Sequence, residues 1–334
     1  MKVAEMIAPG IREIRTTERT QASVDRGEVL VRVHAASLNY RDVLIAEGMM
    51  PLRYPRIPLS DAGGEVLEVG KGVTRVRPGD RVCPIYYQDW MSGPIAPSKL
   101  LLDRGGTCDG VATELLVIAQ EELVKIPAHL TYLEASTLPC AALAAWSAVM
   151  GSGKARPGQR VLVQGTGGVS MFALQFAHMA GAEVIMVSSS EAKLERARAL
   201  GADHGINYAE TPDWAAAVLD LTAGGGADLI VDVTGPSTIE KSMAAVASGG
   251  AISQVGVLSG FTINVPVLAL MSKSVKIQGV INGSRETFEE MMSAIAMHEM
   301  RPILDRTFTL EQLPDALEHM KSRSHIGKLT ISME

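Results

Sequence analysis

The sequence of 334 residues has few cysteines, few aromatic residues and no excess of positive charge. Its three cysteines, Cys83, Cys108 and Cys140, contain no CxxC pair and are too few for a disulfide framework. The net charge of -6 provides no basic surface for nucleic acid or for an anionic membrane. No apolar run reaches the roughly 18 residues that a membrane helix needs, and the N-terminus has no uninterrupted apolar segment of the secretory kind. We therefore expect a cytoplasmic protein that binds neither nucleic acid nor membrane.

Two kinds of hydrophobic pattern divide the chain. Up to about Val117 the apolar runs are short and broken by turns, and residues 28–34 alternate valine with polar residues in the period of a half-buried strand. This first part predicts a twisted, mostly antiparallel β domain. The length is sufficient for two domains, each with its own core.

From about Thr131 the pattern alternates between helix and strand. Thr131 and Glu134 fit a capping box at the start of a helix. Six short β-branched runs between Arg160 and Ile281, separated by helical segments, indicate a doubly wound parallel sheet of the dinucleotide-binding kind. After Arg285 come two helical patterns and a last strand, residues 328–331, which we expect to return to the first domain. The predicted fold class is α/β.

The stretch VLVQGTGGVS, residues 161–170, contains a glycine-rich turn between a strand and a helix. Its residues Gly165, Thr166, Gly167, Gly168, Val169 and Ser170 approximate the GxGxxG pattern, with serine at the third glycine. Glycine permits a positive φ, and the missing Cβ lets a pyrophosphate approach the backbone at the helix N-terminus. Because the strand, helix and second strand of a βαβ unit surround the turn, we interpret it as a cofactor site rather than a structural turn.

A carboxylate that would accept hydrogen bonds from the ribose of NAD is missing at the end of the second strand. That end has Ser188 and Ser189 instead, with Lys193 shortly after them, a set that suits the 2′-phosphate of NADPH. Two alternatives stay open: Lys193 is a solvated surface charge beside a Ser190 helix cap, or Glu191 accepts from the ribose. Charge favours NADPH over NADH.

Together these segments resemble one family, the medium-chain dehydrogenase/reductases, and within it the zinc-free branch that contains the NADPH:quinone oxidoreductases. The resemblance covers nearly the whole chain and rests on the order and spacing of several motifs: LNYRD (38–42), SDAGGEVLEVG (60–70), RPGDRV (77–82), GTCDGVATE (106–114), LPCAALAAW (138–146), VLVQGTGGVS (161–170), LGADHGINY (200–208), INGSRETFE (281–289) and GKLTI (327–331). It implies a GroES-like catalytic domain from residues 1–125 and 286–334, a Rossmann NADP-binding domain over residues 126–285, and the nicotinamide in a cleft. In similar reductases a lysine and a tyrosine at the positions of Lys193 and Tyr208 hold the 2′-phosphate.

The resemblance also bears on metal binding. Zinc-dependent members hold a catalytic zinc with a set of cysteine, histidine and cysteine or glutamate ligands, whereas this chain has Asn39 and Ser60 at the first two positions and only Cys140 at the third. A single thiolate does not make a zinc site, so we expect no zinc. For Cys140 itself we weigh core packing against catalysis, and favour packing.

Without a Lewis acid, the chemistry that suits the chain is hydride transfer from NADPH to a quinone or to an α,β-unsaturated carbonyl. Asn39 is the best candidate to hydrogen-bond the cofactor or the acceptor carbonyl. Tyr40 either donates a proton or packs. Tyr54, Tyr86 and Tyr87 are candidates to line the cleft, and residues 86–104, which resemble the family least, would shape substrate entry. Gly256, Val257, Gly283 and Ser284 are expected beside the nicotinamide, whereas Ala144 replaces a threonine that many relatives carry.

Two other functions stay open at this point: an alcohol dehydrogenase of the same superfamily, and a non-catalytic NADPH-binding redox sensor. Relatives pair through the edge strand of the Rossmann sheet, which corresponds to SVKIQGVI (274–281) in this chain. Because an exposed apolar edge strand needs covering, we expect a homodimer.

Overall fold

The computed structural model describes residues 1–333, which form two compact units. One unit consists of Met1–Leu143 and Gly283–Glu334, and the other of Ala144–Asn282. From the sequence we expect the second domain to span residues 126–285. The second unit of the structure begins later, at Ala144, and the helical segment 132–143 belongs to the first unit. The domain limits at residues 126 and 286 stay a prediction.

The strands and helices of residues 1–333 are numbered in chain order. The strands are β1 (Lys2–Met6), β2 (Ile14–Glu18), β3 (Glu28–Ser37), β4 (Asp61–Val69), β5 (Arg81–Pro84), β6 (Leu115–Ala119), β7 (Leu123–Lys125), β8 (Arg160–Gln164), β9 (Glu183–Ser188), β10 (His204–Asn207), β11 (Ala227–Asp232), β12 (Val246–Gln254), β13 (Lys276–Gly279), β14 (Leu304–Thr309) and β15 (Lys328–Ser332). The α-helices are α1 (Tyr40–Ala46), α2 (Tyr132–Ala135), α3 (Leu143–Trp146), α4 (Gly168–Met179), α5 (Glu191–Arg198), α6 (Trp214–Leu221), α7 (Ile239–Ala245), α8 (Val267–Ser272), α9 (Arg285–Met297) and α10 (Leu313–Lys321).

The first unit is built on a seven-stranded sheet. Its strands follow the order β14-β15-β3-β4-β5-β7, and β6 pairs with β3. All of these pairs are antiparallel except the parallel pair of β14 and β15. Both predictions for this region are confirmed: the first part of the chain is mostly antiparallel β structure, and the last strand returns to it, because β15 pairs with β3.

The first unit also contains the predicted capping box. The Thr131 hydroxyl accepts from Glu134 N at 3.2 Å, and the Glu134 carboxylate accepts from Thr131 N at 2.7 Å, so both ends of the box are made. Wider, π-type helical turns follow this helix over Leu138–Ala142, and another such turn lies in the second unit over Ser147–Ser152. Such turns are frequent at functional sites.

The second unit is the doubly wound sheet that the sequence predicts. Six parallel strands follow the order β10-β9-β8-β11-β12-β13, with helices as crossovers. The strand order reverses between β8 and β11, which is the point where sheets of this kind bind their ligand beyond the carboxyl ends of the strands. The strand within SVKIQGVI is β13, and it lies at the edge of the sheet.

The helix after the glycine turn, α4, has the apolar face expected of it. Phe172, Ala173 and Phe176 are fully buried, and Phe172 and Phe176 stack with ring centroids 6.2 Å apart. Gly181, with φ 75°, follows the end of the helix and allows the chain to turn into β9. In residues 1–333 no helix combines the length and the apolar character that crossing a bilayer requires.

Candidate functional site

The glycine turn joins β8 to α4 at the carboxyl edge of the six-stranded sheet. Gly165 adopts φ 71°, which L side chains rarely take, and its N–H donates to Val187 O of β9 at 2.7 Å. Ser170, in the first turn of α4, is buried, and its hydroxyl donates to Gln164 O at 2.7 Å. The small third residue of the motif therefore ties the helix to the strand that precedes it.

Gly167 is the N-terminal cap of α4, and it provides no side-chain hydrogen bond to that end of the helix. Its φ of -76° suits any residue, and a Cβ built on it would have no neighbour within 4 Å. The fold of the unit therefore leaves open space at this glycine rather than requiring a glycine there. Free N–H groups and the positive end of the helix dipole favour an anion in such a position. Of the other residues in the turn, Thr166 is buried, and Gly168 and Val169 are half-buried.

The predicted 2′-phosphate residues lie at the carboxyl ends of β9 and β10. These strands pair in parallel, with Ser188 opposite Asn207, and Tyr208 N donates to Ser188 O at 2.9 Å. Ser188 is buried, Ser189 is exposed, and Tyr208 is 45% exposed. Lys193 is half-buried in the first turn of α5. The structure thus brings these four residues to one edge of the sheet.

The rival ribose acceptor, Glu191, is engaged elsewhere. Its carboxylate accepts from Arg198 Nη1 at 2.7 Å on the exposed side of α5. Ser190 caps α5, because its hydroxyl accepts from Lys193 N at 3.4 Å. The capping role that the sequence allowed for Ser190 is therefore present, and the end of β9 offers hydroxyl groups but no carboxylate.

The four residues expected beside the nicotinamide have mixed surroundings. A Cβ on Gly256 would lie 1.9 Å from Val233 O, so this glycine permits a close approach of two loops, and Val257 is exposed. Gly283 and Ser284 belong to the first unit, where the buried Ser284 hydroxyl accepts from Thr287 N at 3.1 Å and caps α9. Their contact with a cofactor stays a prediction.

One buried carboxylate in the second unit was missed from the sequence. Asp232, at the end of β11, accepts from Thr234 N at 3.0 Å and Gly235 N at 2.9 Å, and also from the Thr238 hydroxyl. It accepts further from Gln164 Nε2, at the end of β8, at 3.0 Å. The signal was a charged residue ending an apolar strand, in LIVDVTG. The network joins the two strands between which the strand order reverses.

In the first unit, Asn39 is the cap of α1 and is 8% exposed. Its backbone N–H donates to Asp42 Oδ2 at 2.7 Å. Its side-chain Oδ1 accepts from Lys328 Nζ at 2.6 Å, and its Nδ2 donates to Ser60 Oγ at 3.4 Å. The carboxamide is therefore held from both ends. Lys328, which also donates to Leu38 O at 2.6 Å, was not assigned a role from the sequence, although its charge between apolar strand residues in GKLTI was a usable signal.

Around Asn39 lie two buried acids and the half-buried Cys140. The Ser60 hydroxyl donates to Asp61 Oδ1, and Cys140 N donates to Asp61 Oδ2 at 3.0 Å. Burial raises the pKa of Asp42 to about 6, and it raises the pKa of Asp61 against the opposing effect of Lys328. Burial also raises the pKa of the Cys140 thiol, and the carboxylate of Asp61 adds to the effect, so the thiol is neutral at pH 7. Burial lowers the pKa of Lys328 below its usual range, although the carboxylates of Asp61 and Asp42 act in the opposite direction.

Tyr40 is half-buried, and its ring packs against the core of the first unit. Its hydroxyl accepts from Arg323 Nη2 at 3.2 Å in an exposed setting, and the guanidinium lies 5.6 Å from the ring centroid. The packing role that the sequence left open is thus present, and a role as proton donor stays a prediction. Arg41 stabilises the neighbouring loop, because it donates to Asp103 and, at 2.9 Å, to Arg104 O.

Tyr86, Tyr87 and Trp90 form a buried aromatic cluster, against which Cys140 packs. The Arg41 guanidinium lies 4.8 Å from the centre of the Tyr86 ring. Burial raises the pKa of both tyrosines, so their hydroxyls are neutral hydrogen-bond donors. Tyr54 belongs to a different group of residues, because it packs against the core that contains α1.

Comparison with known proteins decides the family. Residues 25–128 match the alcohol dehydrogenase GroES-like domain, and residues 168–297 match the zinc-binding dehydrogenase domain. A zinc-type alcohol dehydrogenase-like protein of Schizosaccharomyces pombe is 40% identical over 316 residues, which cover 92% of this chain and 91% of the relative. The chain belongs to the medium-chain dehydrogenase/reductase superfamily.

Two further superfamily members are informative. A solved structure from Sinorhizobium meliloti 1021, named as an alcohol dehydrogenase, is 42% identical with a TM-score of 0.93, over 99% of this chain and 98% of that one. The acryloyl-coenzyme A reductase of Metallosphaera sedula is 29% identical over 323 residues, 92% of each chain. Relatives and structural neighbours in this superfamily are NAD(P)-dependent oxidoreductases, and so is this chain. The predicted Rossmann sheet and GroES-like domain are confirmed.

Because the superfamily includes zinc enzymes, the donor set at the corresponding positions was tested for its fit to zinc. Zinc in proteins takes thiolate, imidazole and carboxylate ligands, and the ligands must be deprotonated. Asn39 and Ser60 offer an amide and a hydroxyl, and the thiol of Cys140 is neutral. A lysine amino group lies 2.6 Å from the amide oxygen, where it would repel a cation. These residues do not fit zinc, and within residues 1–333 no group of three or more His, Cys, Asp or Glu side chains is arranged to hold a metal ion.

Proposed function

We propose that the chain is an NADPH-dependent reductase that transfers hydride to a quinone or an α,β-unsaturated carbonyl without a metal. The observation that carries the proposal is the contact of Lys328 Nζ with Asn39 Oδ1 at 2.6 Å. It puts a buried amino group and an amide where an alcohol dehydrogenase would need a Lewis acid. An unactivated alcohol would then have nothing to stabilise its alkoxide, whereas an electron-poor acceptor needs only hydrogen bonds to its oxygen.

For the cofactor, we propose NADPH in preference to NADH. The turn at Gly165–Gly167 suits the diphosphate, because Gly167 leaves open space at the N-terminus of α4, a helix of 12 residues. Ser189, Lys193 and Tyr208 suit the 2′-phosphate, because they supply hydroxyl groups and a cation beyond a strand, β9, that ends in serine rather than in a carboxylate. NADPH supplies the hydride when bound, and these residues of the chain bind and orient it.

For the acceptor, we propose that Asn39 Nδ2 donates a hydrogen bond to the carbonyl or quinone oxygen. An amide nitrogen carries two N–H groups, and Ser60 Oγ takes one of them at 3.4 Å. The name of the acryloyl-coenzyme A reductase supports the class, since acryloyl thioesters are α,β-unsaturated carbonyl compounds. The residues around Tyr86, Tyr87 and Trp90 would determine which compound of this class is the physiological acceptor.

Metal analysis tests the absence of zinc. Protein purified without added metal and dialysed against a chelator should contain far less than one zinc per chain and should reduce its acceptor at the rate of undialysed protein. A zinc content near one per chain, with reduction lost on chelation and regained with zinc, would overturn the proposal and favour an alcohol dehydrogenase.

We also propose a homodimer that forms through β13. This strand is an edge of the six-stranded sheet, and neighbouring α8 exposes Val267, Leu268 and Met271, with Leu268 79% exposed. No residue of α8 is buried. Leu268→Glu should halve the mass measured by light scattering, whereas Met297→Glu, which changes an equally exposed residue on α9, should not. A wild-type mass of one chain would contradict the dimer.

A further inference from the structure

Lys328 is the only lysine with a buried side chain in the part of the chain that the structure describes, with 2% of its surface exposed. It lies in β15, which otherwise contributes Leu329 and Ile331 to the apolar core of the first unit. Taking an amino group out of water is costly unless polar partners compensate for it. The partners present are two oxygens, Leu38 O and Asn39 Oδ1, each 2.6 Å from Nζ. These two acceptors compensate in part for the hydration that the amino group loses on burial.

The contact fixes how the Asn39 carboxamide is oriented. A lysine ammonium has only donors, so the atom of Asn39 that faces it is the oxygen. The nitrogen then faces Ser60, whose hydroxyl is in turn directed by Asp61. The backbone of Asn39 is held as well, since its N–H donates to Asp42. Both the position of the carboxamide and the direction of its N–H groups are therefore determined by buried neighbours.

We propose that Lys328 is a positioning residue for the reduction, and that it acts through Asn39 by orienting the carboxamide and polarising its N–H toward the acceptor oxygen. This inference rests on the proposed function. In this role Lys328 does not bind the acceptor itself; its Nζ donates to Leu38 O and to Asn39 Oδ1.

The reaction explains why such polarisation matters. The electrophilic carbon of the acceptor gains hydride, NADPH becomes NADP⁺, and the π electron pair moves onto the acceptor oxygen. That oxygen, then part of an enolate or a phenolate, accepts the hydrogen bond from Asn39 Nδ2. A proton from water completes the reduction, at the α-carbon of an enolate or at the oxygen of a phenolate. Hydrogen bonds in a low-dielectric network strengthen one another, so a cation on the amide oxygen makes the amide N–H a better donor. Removal of one such donor from an oxyanion site typically lowers kcat by about 10²–10³-fold.

A double-mutant cycle tests whether Lys328 affects the reaction only through Asn39. We expect Lys328→Met and Asn39→Ala each to lower kcat by about 100-fold, with the Kd for NADPH from fluorescence titration changed less than about twofold. The double variant should be no slower than Asn39→Ala alone, because Lys328 has no other route to the reaction. Lys328→Arg should recover at least about tenfold over Lys328→Met. Losses that multiply in the double variant, or a kcat of Lys328→Met close to that of the wild type, would overturn the inference.

A second readout does not depend on turnover. The sequence contains four asparagines, Asn39, Asn207, Asn264 and Asn282, so selective ¹⁵N labelling gives four side-chain amide signals. We expect Lys328→Met to move the Asn39 amide protons upfield and to leave the other three in place. Thr330→Val is the matched control, because it removes a buried hydroxyl contact with Thr307, at 2.9 Å, from the same strand. It should leave the Asn39 signal in place.

The two readouts separate the possible failures. If the wild type reduces no acceptor but the Asn39 signal moves as expected, the proposed function fails and the interaction stands. If the signal does not move, the inference fails whatever the enzyme reduces. Should Lys328→Met not fold, Lys328→Arg takes its place. It should shift the Asn39 signal and lower kcat measurably, and an unchanged signal together with an unchanged kcat would overturn the inference.

Discussion

Gln164 Nε2 donates to the buried carboxylate of Asp232 at 3.0 Å, and this bond joins the ends of β8 and β11 where the strand order of the Rossmann sheet reverses. Gln164 directly precedes the glycine turn, and Asp232 orders the loop at residues 234–238 through backbone and hydroxyl donors. One carboxylate therefore fixes two of the loops that border the predicted cofactor site.

Asp232→Ala should lower both stability and cofactor affinity. Several donors would lose their acceptor, including two backbone N–H groups, and we expect the free energy of unfolding in urea to fall by about 3 kcal/mol or more. The Kd for NADPH should rise about tenfold, since the glycine turn loses its anchor. Ser242→Ala, which removes one of these donors, should cost about 1 kcal/mol. Wild-type NADPH affinity in Asp232→Ala would show that the network does not hold the turn.

Gly167→Ala should separate cofactor binding from folding. The new Cβ meets no atom of the protein within 4 Å, and the φ of -76° suits alanine, so the melting temperature should stay within a degree or two of the wild type. The methyl group would occupy the space that the diphosphate needs, so NADPH binding should weaken at least tenfold. Gly256→Ala is the opposite case, because its Cβ would lie 1.9 Å from Val233 O, and it should destabilise the fold. If Gly167→Ala binds NADPH normally, the diphosphate lies elsewhere.

Lys193→Ala should discriminate between the two nicotinamide cofactors. Loss of the cation should raise the Kd for NADPH by about tenfold or more, equivalent to about 1.4 kcal/mol, and should change the Kd for NADH little. Lys241→Ala, in α7 of the same unit, controls for net charge, because its amino group donates to Pro212 O. Fluorescence titration with each cofactor gives the ratio of the Kd for NADPH to the Kd for NADH in each variant. Equal losses for NADPH and NADH would mean that Lys193 does not recognise the phosphate.

Asp42 should make stability fall as the pH rises through the range below neutrality. Its pKa is raised from 3.8 to about 6 by burial, so the folded state binds its proton more tightly than the unfolded state does. The stabilising effect of protonation is complete below pH 4 and is lost as the pH rises through 6, where ionisation costs the folded state about 3 kcal/mol. Asp42→Asn avoids this cost, so its melting temperature relative to the wild type should increase from pH 5 to pH 7.5. If the difference in melting temperature between Asp42→Asn and the wild type is the same from pH 5 to pH 7.5, Asp42 does not titrate in this range.

The sequence was sufficient for the fold because local patterns and global topology agree. The glycine turn, the six β-branched runs and the strand at residues 328–331 each have a periodic or turn signal that does not depend on distant residues. The glycine turn of the predicted cofactor site could be located for the same reason, since Gly165, Gly167 and Ser170 are neighbours in the chain.

The residues of the proposed acceptor site were harder to group from the sequence because they are far apart in the chain. Asn39, Ser60, Cys140 and Lys328 come together only through the pairing of β15 with β3 and the packing of residues 138–142 against β4. From the sequence alone, a lysine in a strand is expected at the surface. Only the structure shows that Lys328 is buried. The same holds for Asp232, whose partners come from the end of β8, the loop after β11 and α7.

The acceptor spectrum measured in the presence of a chelator tests the central claim most directly. Purified protein would be mixed with NADPH and a panel of quinones, 2-alkenals, enones, acryloyl thioesters and saturated aldehydes, and NADPH oxidation would be followed at 340 nm. We predict turnover confined to quinones or activated alkenes and unaffected by the chelator. Turnover of saturated aldehydes that the chelator abolishes, or tight NADPH binding with no turnover of any acceptor, would contradict the account.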